Sequence, residues 1–180
     1  MVVGAIDDSD LERRTSQALR RPQAGEAAAE DDDLRKRHSA IIPSGMDLSG
    51  QLHSGMTGEA ELLVGEEHTA PRVGSGKVHV LATPVMINVI EAAALEAIER
   101  FLPAGYQSLG TVLSVRHIAA TPVGMRVRAT ARVMKVDGRT IFFTISVSDD
   151  KELVGDGTHE RVVVNVAKFD QRVQKKLSSP

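Results

Sequence analysis

The chain has 180 residues, with 22 Lys+Arg against 24 Asp+Glu, six histidines and no cysteine. The absent cysteine excludes disulfides, thiolate metal sites and a thiol nucleophile. A net charge of −2 lacks the broad basic footprint of a nucleic-acid binder. No apolar run approaches the ~18 residues that a membrane span needs, and no basic-then-apolar leader opens the chain. The expectation is a cytoplasmic protein with no nucleic-acid or membrane partner.

Residues 1–45 carry nine acids and seven bases, no aromatic residue, and the block Glu30-Asp31-Asp32-Asp33 followed by Arg35-Lys36-Arg37. So polar a stretch buries too little apolar surface to offset the entropy of ordering it. It reads as a mobile extension, residues 46–180 forming the folded domain, with Met46 a candidate natural start. Glu59–Val64 reads as a first strand, followed by a connection rich in Gly, Pro and Ser. Thr83-Pro84 reads as a helix N-cap with proline at the first helical position. The helix is expected to reach about Phe101, before Pro103 and Gly105. Apolar on most sides, it should be wrapped by other structure.

Beyond the helix the period becomes two. Ser108–Ala119, Met125–Val136, Thr140–Ser148 and Glu152–Val166 read as strands, with Asp137-Gly138 the strongest hairpin signal. One buried helix followed by antiparallel strands is an α+β layout, not a βαβ nucleotide fold.

Several polar residues stand out. Glu91 points away from the exposed Glu96, Glu99 and Arg100 and into the apolar side of the helix. A carboxylate there is either satisfied by a neighbouring subunit or catalytic, with a pKa raised by desolvation. Thr83 is a plain cap, or part of a helix N-terminus that polarises a carbonyl. His117 interrupts an apolar strand as an interior residue or an acid/base group. His159 and Arg161, at i and i+2, read as a surface pair. No histidine spacing suits a metal. Arg126, Arg128 and Arg132 form a basic strand face, either solvated or binding the phosphates of a carried nucleotide.

Together, Ala82-Thr83-Pro84…Glu91, Ser108-Leu109-Gly110-Thr111…His117-Ile118-Ala119-Ala120-Thr121-Pro122 and Gly157-Thr158-His159-Glu160-Arg161 resemble the fluoroacetyl-CoA thioesterase family of hotdog-fold acyl-CoA thioesterases. The likeness runs from about Met56 to Lys175. It implies a hotdog fold, a long central helix wrapped by a curved antiparallel sheet, in a homodimer. It also implies Thr83, Glu91 and His117 as catalytic residues, and Gly110 and Arg161 as substrate-site residues. The implied reaction is hydrolysis of a short- or medium-chain acyl-CoA to free acid and CoA at a dimer-interface site. No cofactor is expected beyond the CoA of the substrate. A non-catalytic acyl-CoA-binding hotdog protein and a hotdog enoyl-CoA hydratase are the alternatives. The family's phenylalanine-bearing lid has no counterpart in Arg72–Leu81, which reads RVGSGKVHVL, and fluoroacetyl selectivity is therefore not expected.

Overall fold

A computed structural model of the chain describes residue 48 and residues 50–178. The extension expected over residues 1–45, and Met46, lie outside the described residues. The folded part has the expected α+β arrangement. Strand β1 (Thr57–Leu63) leads through a 3-10 turn (Glu66–His68) and a short helix α1 (Ala70–Val73) to the long helix α2 (Thr83–Ile98). Strands β2 (Tyr106–His117), β3 (Arg126–Asp137), β4 (Thr140–Asp149) and β5 (Leu153–Asn165) follow, then helix α3 (Val166–Ser178). The five strands make one antiparallel sheet in the order β1-β3-β4-β5-β2.

Alternation along the strands decides which side chains face α2. Val127, Ala129, Ala131 and Val133 of β3 are buried, as are Ile141, Phe143, Ile145 and Val147 of β4. The intervening Arg126, Arg128 and Arg132 point outward, as a period of two requires. Against this inner face α2 lays Met86, Val89, Ile90, Ala93, Ala94, Ala97 and Ile98, the i, i+3, i+4 stripe of a helix packed on one side. Asn88, Ala92 and Glu96 are exposed, Glu96 on the side of the helix expected to face outward.

Register shifts between Gly110 and Val112, Val133 and Lys135, and Val147 and Ser148 interrupt three of the four ladders. Such bulges add local bend and twist, and the sheet curls around the helix. The start of β1 lies directly on α2. A Cβ on Gly58 would stand 2.3 Å from the Ala97 nitrogen and 2.4 Å from the Ala93 oxygen.

Most elements fall within a few residues of their sequence-based limits. Helices α1 and α3 were not anticipated. α1 hides in four residues, Ala-Pro-Arg-Val, inside a segment read as loop. α3 continues directly from β5, where an apolar run through Val166 reads as more strand.

Gly58→Ala is expected to destabilise the fold by about 1–3 kcal/mol, the usual cost of overpacking, because backbone rather than a flexible side chain meets the new methyl. Urea denaturation of the two proteins measures it.

Candidate active site

Two clusters of polar side chains lie at different points along α2. The first is at its N-terminus. Ala82, in extended conformation, is the N-cap, and Thr83 is the first helical residue with Pro84 behind it. The N-cap expected at Thr83 is therefore one residue early in the helix, and no side chain caps this end. Freed from capping, the Thr83 hydroxyl lies 3.0 Å from His117 Nδ1.

His117 is the last residue of β2, paired opposite Gly155. A Cβ at Gly155 would crowd the Arg116 carbonyl at 2.9 Å and Met86 Sδ at 3.0 Å, so the glycine lets the strand end close over the start of α2. The Leu81 amide bonds to the Thr121 carbonyl at 2.8 Å, tying the helix entry to the segment after β2. Burial pushes the His117 pKa below the ordinary imidazole value, with a smaller opposing contribution from the Ala119 backbone. The ring is therefore neutral near pH 7. Its Nε2 is buried without a hydrogen-bond partner among the described residues.

The second cluster is centred on Arg161. This guanidinium is 3 % exposed, and burial lowers its pKa to about 10, so it remains charged at neutral pH. Its Nε donates to Ser108 Oγ at 2.9 Å and its Nη2 to the Ser108 carbonyl at 2.9 Å. Its Nη1 donates to Glu91 Oε2. Ser108 is itself gripped by Glu99, which accepts from its amide at 3.2 Å and from its hydroxyl at 2.9 Å. His159 completes the cluster, with Nε2 3.3 Å from Glu91 Oε2 and 3.3 Å from Arg161 Nη1.

Gly110 explains why the carboxylate fits. A Cβ there would stand 2.4 Å from Glu91 Oε1 and 3.0 Å from His159 Cε1. The missing side chain is the space into which Glu91 settles.

The sequence-derived candidates thus divide into two groups. Thr83 joins His117, while Glu91 joins Gly110 and Arg161. Eight helical residues separate Thr83 from Glu91, about 12 Å, and seven strand residues separate Gly110 from His117, about 23 Å. His159 and Arg161 are not the surface pair their spacing suggested; both are almost wholly buried. The overlooked signal is alternation, since stepping back by twos from buried Val163 puts both residues on the inner face. Ser108 and Glu99 were also missed as site residues, and no spacing rule marks them. On the outer face Arg126 and Arg128 both engage Glu61, whose carboxylate they hold below its usual pKa. They are ion-paired rather than free for phosphate. No group of three potential metal ligands occurs among the described residues, and no helix there is long and apolar enough to cross a membrane.

Two outcomes follow from this geometry. Gly110→Ala must displace the Glu91 carboxylate, and a loss of about 1–3 kcal/mol is expected in urea denaturation. Acid sensitivity has a definite sign as well. Burial lowers the pKa of both His117 and His159, whereas in the unfolded chain both titrate near ~6.5. Below that pH the unfolded state binds more protons, so stability is lost as pH falls toward the folded-state values. Denaturation midpoints should be level between about pH 8 and 7 and decline between about pH 6.5 and 5.

Comparison with known proteins gives a consistent answer. The family model described as fluoroacetyl-CoA-specific thioesterase matches residues 64–167. A fluoroacetyl-CoA thioesterase of Streptantibioticus cattleyicolor is 40% identical over 97 residues, which are 54% of this chain and 70% of that protein. A solved structure of a fluoroacetyl-CoA thioesterase, 31% identical, covers 72% of this chain and 98% of its own, with a TM-score of 0.66. A thioesterase superfamily member from Thermus thermophilus is 29% identical over 71% of this chain and 97% of its own, at a TM-score of 0.65. A hot-dog-like protein from Thermanaerovibrio acidaminovorans, 23% identical, shares the fold over 75% of this chain and all of its own, at a TM-score of 0.69. The fold is the hotdog fold, and the chain belongs to the fluoroacetyl-CoA-specific thioesterase family.

Proposed function

We propose that this chain hydrolyses a short- or medium-chain acyl-CoA thioester to free acid and CoA, at two sites shared across a two-fold dimer. The observation that carries the reading is the Glu91 carboxylate held against Gly110 by a buried arginine, on the same helix that brings Thr83 to His117. Family membership supplies the reaction class. A relative named for fluoroacetyl-CoA supports an acyl-CoA substrate.

In the proposed reaction the neutral His117 accepts the Thr83 proton at Nδ1 as the threonine oxygen attacks the thioester carbonyl; the C–S bond then breaks, the imidazolium returns the proton to the CoA sulfur, and water releases the acid from the threonine ester. In the direct route Thr83 instead orients a water that attacks the carbonyl, again with the C–S bond breaking and the sulfur taking the proton. Glu91 serves from the other side, as base toward water or as the nucleophile itself. At the N-terminus of α2, where no side chain caps the helix, the Thr83 amide suits the oxyanion that develops on the carbonyl, since Pro84 has no N–H and the Val85 and Met86 amides are taken by the Ala82 carbonyl. No cofactor enters; CoA comes with the substrate.

The dimer is part of the proposal because one chain holds the two clusters apart. β2 is an edge strand of 12 residues, and an unpaired edge of that length invites a second strand. Val112 on it and Ile118 just beyond its end are each 49% exposed. A two-fold axis here would set one chain's Thr83–His117 pair toward the other chain's Glu91. From α1 toward the start of α2, residues 71–79 are exposed and include no Phe, Tyr or Trp, and Val78 is 69% exposed. Without the phenylalanine-bearing lid of the family in this segment, acyl groups larger than fluoroacetyl are the expected substrates.

A thiol reagent reads CoA release without background, because the protein has no cysteine. Thr83→Ala and Glu91→Gln should each lower kcat/KM by about 10²–10⁴, the range of acid–base groups. Mixing the two inactive variants should restore about one quarter of wild-type activity, since half of randomly paired dimers are hybrids with one intact site of two. Wild-type rates in both single variants would remove the catalytic assignment, and no recovery on mixing would remove the shared site.

A further inference from the structure

His159 has no part in the reaction proposed above, yet it is 1 % exposed and sits within hydrogen-bonding reach of both members of the Glu91–Arg161 pair. Its Nδ1 lies 2.8 Å from the Val112 carbonyl. A carbonyl only accepts, so the ring hydrogen is on Nδ1. Phe143 stacks on the ring at 6.0 Å between centroids and 27° between planes, fixing its face as Val112 fixes its edge. In this tautomer Nε2 carries a lone pair and no hydrogen. Arg161 Nη1 has two hydrogens, one for Glu91 Oε2 and one for His159 Nε2.

We propose that His159 is a positioning residue for Glu91: its neutral Nε2 accepts from Arg161 Nη1, turning the guanidinium so that it holds Oε2 and leaves Oε1 at Gly110 free to act. The opposite arrangement, an imidazolium donating to Glu91, would bury a second cation beside Arg161 on a single carboxylate. The groups around the ring are Glu91 from α2, Arg161 and Glu160 from β5, and the Val112 carbonyl from β2. Burial favours the neutral ring over the opposing influence of Val112 and Glu160. The proposal deepens the thioesterase reading and rests on Glu91 being its working carboxylate.

Two substitutions separate the two edges of the ring. An asparagine amide reaches only the Nδ1 position and keeps the bond to Val112, whereas glutamine places its amide oxygen near Nε2 and keeps the acceptor for Arg161. His159→Asn should lower kcat about 10- to 100-fold with KM within about threefold, because Glu91 is misdirected while substrate contacts are intact. His159→Gln should recover to within about threefold of wild-type kcat. Glutamine as poor as asparagine, or both at the wild-type rate, would overturn the proposal.

Nitrogen NMR of histidine-labelled wild-type protein reads the same point without a variant or a turnover. At pH 7.5 His159 should appear neutral, with hydrogen on Nδ1 and none on Nε2. An Nε2–H tautomer or an imidazolium would overturn the assignment even if the enzyme hydrolyses acyl-CoA. The expected tautomer in a protein that releases no CoA from any acyl-CoA would instead uphold the placement of His159 and sink the thioesterase reading.

Discussion

The Arg161–Glu91 pair sets the terms for everything around it. A guanidinium this buried keeps its charge only if its hydrogen bonds are met and a carboxylate faces it. Ser108 meets two of those needs, Glu99 fixes Ser108, and Glu91 supplies the opposite charge. Each partner comes from a different element: α2, the 3-10 turn Glu99–Phe101 that follows it, β2 and β5. The helix and the sheet therefore have one relative position in which the charge is satisfied. Gly110 is part of the same solution, since the carboxylate occupies the volume of a side chain that is absent. Ordinary packing of α2 against β3 and β4 would tolerate sliding by a fraction of an ångström; this pair does not.

The same constraint explains why a carboxylate is half-exposed on a helix that is otherwise apolar toward the sheet. One oxygen is committed to a buried cation and the other is not. A carboxylate anchored in this way loses little conformational freedom when it acts, which is what a pre-organised group requires. The N-terminal cluster is built on the opposite plan. Among the described residues, exposed Thr83 has only His117 as a partner for its hydroxyl, while His117 Nε2 has none. One half of α2 is closed on itself; the other is unfinished within a single chain. On the shared-site reading, the unfinished half is completed by substrate and by a second copy.

Much of this was legible in the residues. Strict alternation in β3 placed its valines and alanines inward and its arginines outward, and Pro84 with Pro103 and Gly105 bracketed the helix. Glu91 was visible as an acid on the wrong side of an amphipathic stripe. What the sequence hid has physical causes. Thr83 suits an N-cap as well as a first helical residue, and only the partner of its hydroxyl separates the two. Arg161 and His159 are polar residues at inward positions, and hydropathy reads any polar pair as surface unless the alternation is carried through from Val163. Ser108 and Glu99 act over nine residues of chain that include a 3-10 turn and the start of a strand, a separation no periodicity encodes. The division of the candidates into two clusters was accessible from helix rise alone, because eight residues of helix cannot fold back on one carbon atom.

Selectivity, on the proposed reading, belongs to the segment between α1 and α2, which takes no part in either cluster. The stretch from α1 to the start of α2 is pinned at its base by the Thr69–Leu81 bridge and by the Ala70 amide on the Val80 carbonyl at 3.0 Å. A polar contact of His79 Nε2 with Glu66 Oε2 at 2.7 Å adds a surface tie, of the kind that contributes little to stability. Between these fixed ends lie Gly74, Ser75 and Gly76, with Gly74 in the left-handed conformation that ends α1. The base of the segment is set by hydrogen bonds that the fold requires, while at its tip the Ser75 amide bonds back to the Ala70 carbonyl at 2.9 Å and residues 74–78 are exposed. A substitution at the tip can therefore change what the acyl group meets without disturbing Thr83 or Glu91, and the catalytic clusters can persist while the acyl group they act on changes.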